Sequence, residues 1–548
     1  MVTAAGVVGA DGVNGAVLGA LAPDVEGSCA RCLGFKAKAD LAHGEAAYWR
    51  AMHSRAVERE AQREAEIEAL HAKLRQRERQ LFGRRSERGK GKNEGQQAHG
   101  CRRGRGQQRG ASGHGRRRHA ALPAVEETCD LDPAQRRCPR CECPYELLEG
   151  TEDSEVIEVE VRAHRRVIRR KRYRSTCRCP AQPGIVTAAG PPKLIPKGSL
   201  GVSLWTLILI DKFLFQRPTY RLLADLRWSH GLEIAQGTVT GGLQRLTPLF
   251  EPLVQSIVTK SLTATHWHAD ETRWPVFVDW DGKHGHRWQM WVVVSKSTVV
   301  FQLDPTRSAQ VPMAYFGKTA TGILSVDRYV AYKVLRKEGR IVLAFCWAHV
   351  RRDFLGVAKD WGGQHERWAF GWVTKIGELY QLNDERLQGL DVPEKFATAQ
   401  SRLCAAVARM AELHRVELAD ATVIGAPRKV LESLAKHWAG LIVFVDHPEV
   451  PMDNNVAERA QRNEVVGRKN YYGSGSVWSG KLAAMLFTVF QTLLLWKRNP
   501  RRWLSEYLQA CAEHGGQAPA DAESFLPWNL SAHRRASLAV ARSGPDSS

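Results

Sequence analysis

Five strand patterns follow one another between His266 and Phe345, and their spacing dictates how they can pair. The candidates are His266 to Asp270, Arg287 to Val294, Thr298 to Leu303, Gly322 to Asp327 and Ile341 to Phe345. The first three are linked closely enough to run antiparallel. Helical stretches near Ser308 to Phe316 and Tyr329 to Lys337 separate the later ones, and another begins at Ala348, an alternation that fits parallel crossovers. In a sheet of that order the first and fourth strands are neighbours, so Asp270 and Asp327 end side by side. The strand period of two puts His266, His268 and Asp270 on one face and Trp267 and Ala269 on the other. An acid at the end of a buried strand needs a partner: a metal shared with distant carboxylates, or a local metal site built with the two histidines.

This element order is that of a ribonuclease H-like sheet. It sets out a catalytic domain over residues 262–496 with a largely helical insertion at 361–444. Beyond the insertion, Met452-Asp-Asn-Asn-Val-Ala-Glu-Arg459 opens a helix for which Asp453 or Asn454 is a suitable N-cap, with Glu458 and Arg462 one turn apart on one face. That helix can present Glu458 to the two aspartates. At 548 residues the chain exceeds what one core can fill. The fold class is therefore multidomain α/β, with residues 497–548 as a C-terminal helical tail.

The N-terminal half is modular. Residues 1–43 begin with a Gly, Ala and Val-rich stretch that lacks the basic leader of a signal peptide, and they read as disordered. Residues 44–83 are helical in composition, with Ile67, Leu70, Leu74 and Leu81 at heptad-like positions and Arg77 breaking the seam. A zipper, or coiled coil, supporting self-association competes there with a solvated single helix. Residues 84–120 form a basic linker too polar to fold alone: twelve Lys or Arg face two Glu between Arg84 and Arg118, a large share of the net charge of +21. Such a tether suits contact with phosphates without reading bases.

Within residues 121–190, Cys138-Pro-Arg-Cys141 and Cys177-Arg-Cys179 flank a basic, β-like stretch. Two thiolate pairs joined by a hairpin give the four sulfur ligands of a structural zinc ion in a zinc-ribbon-like domain. Cys143 can replace one ligand, and unmetallated cysteines are the alternative. Arg165, Arg166, Arg169, Arg170 and Lys171 lie in the ribbon, where they can touch DNA. In residues 195–258, Pro218 to Leu226 and Gln236 to Leu246 flank His230-Gly231 and resemble a helix-turn-helix, though plain helical packing accounts for them equally well. Twelve cysteines without a disulfide framework fit a reducing cytoplasm. The most apolar run, Leu482 to Trp496, is short and hemmed in by Lys481, Lys497 and Arg498, so a buried core helix is expected and no membrane partner.

Three carboxylates from separated segments suit two hard divalent cations, which can activate an attacking oxygen and stabilise a leaving one at a phosphodiester. Arg351, Arg352, Arg468 and Lys469 are candidate phosphate contacts or partners of surface acids. The loop Gly473-Ser-Gly-Ser476 has the look of a phosphate cradle but lacks a lysine signature.

His268-Ala-Asp-Glu-Thr272, Val326-Asp-Arg-Tyr-Val-Ala-Tyr332, Cys346-Trp-Ala-His-Val-Arg-Arg-Asp-Phe354, Asp453-Asn-Asn-Val-Ala-Glu-Arg459 and Gly467-Arg-Lys-Asn470 closely resemble, in the same order, motifs of the insertion sequence 66 family of transposases. Leu81-Phe-Gly-Arg-Arg-Ser-Glu87 and Leu526-Pro-Trp528 extend the likeness. The resemblance implies a DDE transposase with Asp270, Asp327 and Glu458 as metal-binding triad and magnesium (or manganese) as the ion. It also implies double-stranded DNA at element terminal inverted repeats and target as substrate, companion proteins encoded by the same element, and a bacterial cytoplasmic, nucleoid-associated location. Arg328 stands where the family usually has Gly, and an arginine there either hinders metal binding or contacts phosphate. The alternatives are a catalytically inactive DNA-binding regulator, and a hydrolase using His266, His268 and Asp270 as a local zinc site, for which the upstream strand-helix units of a barrel are lacking.

Overall fold

The computed structural model describes residues 30–82, 126–130, 132–146, most of 154–176, and 185–540 except 280–285, 318, 338–339 and 362. The chain forms two compact units. One comprises Phe250–Pro500 and Asp521–Ser548 with the N-terminal helix, the other Arg84–Leu249 with Arg501–Ala520. The N-terminal helix α1 (Ala30–Phe82) begins inside the stretch expected to be disordered, because Lys, Ala and Leu from Lys36 to Ala42 are strong helix formers. It leaves Ile67, Leu70 and Leu74 exposed. The basic linker lies outside the described residues up to Val125.

In the smaller unit a two-stranded ribbon pairs β1 (Arg172–Arg174) antiparallel with β2 (Ile185–Thr187). Helices α2 (Val202–Phe213), α3 (Thr219–His230) and α4 (Gln236–Leu246) follow. α3 stops at Gly231, whose left-handed backbone (φ 61°) returns its N–H to the carbonyls of Arg227 and Leu226. A Cβ on Gly242 would lie 2.0 Å from the Trp205 indole, so only glycine lets α4 approach α2 this closely. The segment after Pro500 folds back into this unit: Tyr507 donates to the Leu249 carbonyl, and Ser505 bonds Thr206 at 3.3 Å.

The larger unit opens with α5 (Glu251–Leu262), followed by β3 (His266–Pro275), β4 (Arg287–Val294), β5 (Val299–Asp304), α6 (Gln310–Phe316), β6 (Gly322–Val326), α7 (Lys333–Lys337), β7 (Ile341–Phe345) and α8 (Trp347–Trp361). The sheet order is β5-β4-β3-β6-β7. β3, β4 and β5 pair antiparallel, and β6 joins β3 and β7 in parallel. The first and fourth of these strands are therefore neighbours, as their spacing predicts. β3 does not end at Asp270. It continues to Pro275 along β4, while its parallel pairing with β6 stops at His268 opposite Ser325. Asp270 thus overhangs the point where β6 ends and Asp327 leaves it.

The insertion is all helical, with α9 (Gly363–Gln388), α10 (Pro393–Ala419), α11 (Gly425–Leu441) and α12 (Val443–Asp446). Trp372 of α9 stacks on Phe354 of α8 at 5.1 Å. Arg386, fully buried, donates to the carbonyls of Phe444 and Val445 at the end of α12, both at 2.9 Å. Trp267, Leu324, Val326, Trp347 and Trp372 belong to the core shared by sheet and insertion.

Then come α13 (Asn455–Ala460), α14 (Arg462–Tyr471) and α15 (Val477–Leu495). α15 has the length and apolar character of a membrane span, yet its apolar face is buried in the unit, as the sequence predicts. Its Thr488 and Thr492 accept from the backbone N–H of Phe301 and Val299 at 2.8 and 3.1 Å. The helix so closes the free edge of β5. The loop before it is structural: Ser474 accepts from the Trp274 indole (3.0 Å) and its N–H donates to the Pro275 carbonyl (2.9 Å), while Ser476 caps α15.

Candidate active site

Asp270 lies on β3, Asp327 follows β6 and Glu458 sits in the first turn of α13. The two aspartates are held by local backbone. Asp270 Oδ1 accepts from the Glu271 N–H (2.9 Å), and Asp327 Oδ1 accepts from the Tyr329 N–H (2.8 Å). Burial pushes the Asp270 carboxyl up to about 8, and the negative charges of Glu271, Asp327 and Glu458 add to it. Asp270 therefore feels the charge of the other two carboxylates. Among the described residues no three His, Cys, Asp or Glu side chains lie close enough to enclose an ion.

What ties the start of the Glu458 helix to β3 is an asparagine. Asn454 precedes α13 at its N-cap position, but its side chain makes no cap hydrogen bond. It turns instead to β3, where Nδ2 donates to the Ala269 carbonyl at 2.7 Å and Oδ1 accepts from His268 Nδ1 at 3.0 Å. The carboxylate of Asp453 takes the N–H of Asn455 (3.0 Å) in its place. From the other side, the Asn454 N–H points at Cys346 Sγ (3.2 Å) and the Trp347 N–H at the Met452 carbonyl (2.9 Å). The helix carrying Glu458 is short, interrupted at Gln461, so Glu458 and Arg462 belong to two helices rather than to the one expected.

The two histidines have protein partners. His266 Nε2 lies 2.9 Å from Ser325 Oγ, and His268 is committed to Asn454. Burial, and for His266 the neighbouring His268, hold both below the usual imidazole range, His266 at about 4. They are neutral struts of the sheet face on which Asp270 lies.

Sequence reasoning missed four further neighbours. Glu271, on the opposite face of β3, accepts from Tyr332 Oη at 2.6 Å and pairs with Arg307. Arg307 lies over the Tyr329 ring at 3.7 Å, and Tyr329 Oη donates to its carbonyl (2.7 Å), so the loop bearing Asp327 is tied to β3 from below. His349 Nε2 stands 3.8 Å from Glu458 Oε1. Glu271, Tyr332 and His349 lie inside the motif runs quoted above; Arg307 lies in none of them and leaves no signal in a single sequence.

The expected DNA contacts have mixed settings. Arg165, Arg166, Arg169, Arg170, Lys171, Arg352 and Lys469 are exposed, and Arg351 is half-buried. Arg170 donates to the Ala188 carbonyl. Arg468 is engaged inside the protein, donating to Thr272 Oγ1 (2.9 Å) and to the Arg273 carbonyl. Of the expected zinc ligands, Cys177 and Cys179 lie outside the described residues. Cys138 and Cys141 form a tight knuckle: the Cys138 N–H donates to the Cys143 carbonyl, the Glu142 N–H to the Cys138 carbonyl, both at 2.9 Å. The N–H groups of Arg140 and then Cys141 lower the Cys138 thiol pKa, the donor pattern that suits a thiolate.

The profile described as "Transposase IS66 family" matches residues 197–482. Among curated proteins, "Uncharacterized protein y4jD" of Sinorhizobium fredii is 28% identical over 418 residues, 73% of this chain and 80% of that protein. "Uncharacterized protein y4qI" of the same organism is 27% identical over 363 residues, 63% of this chain and 66% of that one. "Uncharacterized protein y4hP" is 25% identical over 414 residues, 71% and 72%. With a matched span that runs across more than half the sequence and encloses the five-stranded sheet and all three carboxylates, the chain belongs to the IS66 family of transposases.

Proposed function

We propose that the protein is a DNA transposase that cleaves and joins strands at the terminal inverted repeats of its element, with Asp270, Asp327 and Glu458 holding magnesium or manganese in a ribonuclease H-like domain. The observation that carries this reading is the setting of Asp270, a carboxyl pushed up to about 8 chiefly by burial and further by the negative charges of Glu271, Asp327 and Glu458. An all-oxygen donor set with surplus negative charge fits hard divalent cations. Bound there, such ions supply Lewis-acid activation of the attacking oxygen and charge uptake at the leaving 3′ oxygen. The chain's own part is to position the acids, through Asn454 for Glu458 and through Tyr329 and Arg307 for the Asp327 loop. Arg328, engaged by Asp353 and Ser433, leaves Asp327 to the metal in this reading, which favours it over the inactive-regulator alternative. Exposed Arg165, Arg166, Arg169 and Lys171 serve as phosphate contacts, α1 supports self-association, and companion proteins of the same element complete a cytoplasmic, nucleoid-associated assembly.

The test is substitution of each acid. Asp270→Asn, Asp327→Asn and Glu458→Gln are each expected to lower magnesium-dependent cleavage of element-end DNA by on the order of 1000-fold, with DNA binding retained. Cleavage that survives in all three sinks the proposal. We also assign Cys138, Cys141, Cys177 and Cys179 to one structural zinc ion. Elemental analysis of the purified chain is expected to find one zinc, lost in Cys138→Ser/Cys141→Ser; wild-type protein free of zinc after purification without chelator rules the assignment out.

A further inference from the structure

A cationic cluster stands beside Asp327 that neither the triad nor the family motifs account for. Arg328 spans to α8 and α11, donating to Asp353 Oδ2 (2.5 Å) and Ser433 Oγ (2.9 Å). One turn further along α11, His437 packs edge-on against Phe345, with ring centroids 5.0 Å apart. Its Nδ1 lies 2.7 Å from the Ser433 carbonyl. A carbonyl only accepts, so Nδ1 carries the proton and Nε2 is left as an acceptor. Lys333 Nζ fills that acceptor at 2.8 Å. The histidine therefore holds the ammonium in place without neutralising it.

Lys436, beside His437 on α11, is exposed. Its charge and that of Arg328 add to partial burial in holding the Lys333 pKa below its ordinary value, opposed by Asp327. The acids at hand are already committed, Asp353 to Arg328 and Glu432 to Arg428. Among the described residues none forms an ion pair with Lys333 or Lys436. Lys333 thus feels two further cations, Lys436 and Arg328, and one carboxylate, Asp327, that the proposed reaction assigns to metal. Once that carboxylate is neutralised, the surplus positive charge calls for an anion.

We infer that Lys333 and Lys436, with His437 as positioning residue and Arg328 behind them, bind a backbone phosphate of the DNA strand next to the scissile one. The helical insertion is then part of the substrate clamp through α11. The inference rests on the strand-transfer reading above, and its test separates the two. Element-end duplexes are prepared in which single phosphates flanking the cleavage position are replaced, one per duplex, by uncharged methylphosphonates. Wild-type protein is expected to cleave one or two of these about tenfold more slowly than the all-phosphate duplex. Lys333→Gln/Lys436→Gln is expected to cleave the all-phosphate duplex about tenfold more slowly and to lose nothing further at those positions. Lys333→Arg/Lys436→Arg keeps the sensitivity. Wild-type cleavage indifferent to every flanking replacement, or a Gln variant as sensitive as wild type, overturns the phosphate subsite while the triad reading stands. Failure of wild type to cleave any duplex overturns both.

Discussion

Asn454→Leu is expected to lower single-turnover strand cleavage about 100-fold, although the residue carries no charge and is not one of the proposed metal ligands. The substitution nearly preserves volume but removes both side-chain bonds to β3, the donation to Ala269 and the acceptance from His268. Glu458 sits four residues on, in a helix only six residues long, so the rest of the helix has little means of restoring its place. A displacement of about 1 Å at a metal-ligating acid is enough for the predicted loss. Stability falls as well, by about 1–3 kcal/mol for the unpaired polar groups left in a buried setting. Cleavage assayed at saturating magnesium, alongside a denaturant melt, separates the two effects. A variant that melts early yet cleaves at the wild-type rate would show that the asparagine braces the fold without placing Glu458.

The second large effect concerns Glu464, an acid in α14 whose side chain is fully buried. Its Oε1 accepts from Gln491 at 3.3 Å, while Oε2 has no hydrogen-bond partner among the described residues. Burial pushes its pKa up to about 8 against an ordinary value of 4.5. The folded protein therefore binds this proton more tightly than the unfolded chain. The resulting contribution is fully present below about pH 4.5, falls as pH rises towards 8, and above 8 the folded state bears the whole cost of a buried carboxylate. Glu464→Gln keeps the shape and removes the titration. It is expected to stabilise the protein increasingly between pH 5 and pH 8.5, by at most about 5 kcal/mol at the upper end. Paired urea melts across that range measure it; a constant difference between variant and wild type would show that Glu464 titrates normally.

Much of the sheet was legible in advance because strands announce themselves locally. Trp, Met and Val fill Arg287–Val294, and Ile, Val, Leu and Phe fill Ile341–Phe345, and both strands fall where the residue pattern puts them. The length of β3 was not legible. Glu271 to Pro275 are polar enough to resemble a turn, and only their pairing with Arg287 to Trp291 makes them strand. The N-cap of α13 misled for a related reason. An asparagine before a helix ordinarily caps it, but here a neighbouring strand offers a buried carbonyl and an imidazole N–H that leave the side chain better satisfied. Arg307 and Lys333 carry no local pattern at all, and their roles follow from Glu271 and His437, 36 residues before one and 104 residues beyond the other.

The sequence by itself determined the strand order, a largely helical insertion and, through five ordered motifs, the family, and it offered three carboxylates at separated positions as the candidate site. These are properties of local pattern and of order along the chain. The tertiary structure alone decided that β3 runs on past the end of its pairing with β6, that Asn454 ties the Glu458 helix to that strand, and that Arg328 reaches α8 and α11. Each depends on which groups come within hydrogen-bond reach once the core has closed. Those partners lie dozens to nearly two hundred residues apart, and a buried polar group takes whichever of them satisfies it.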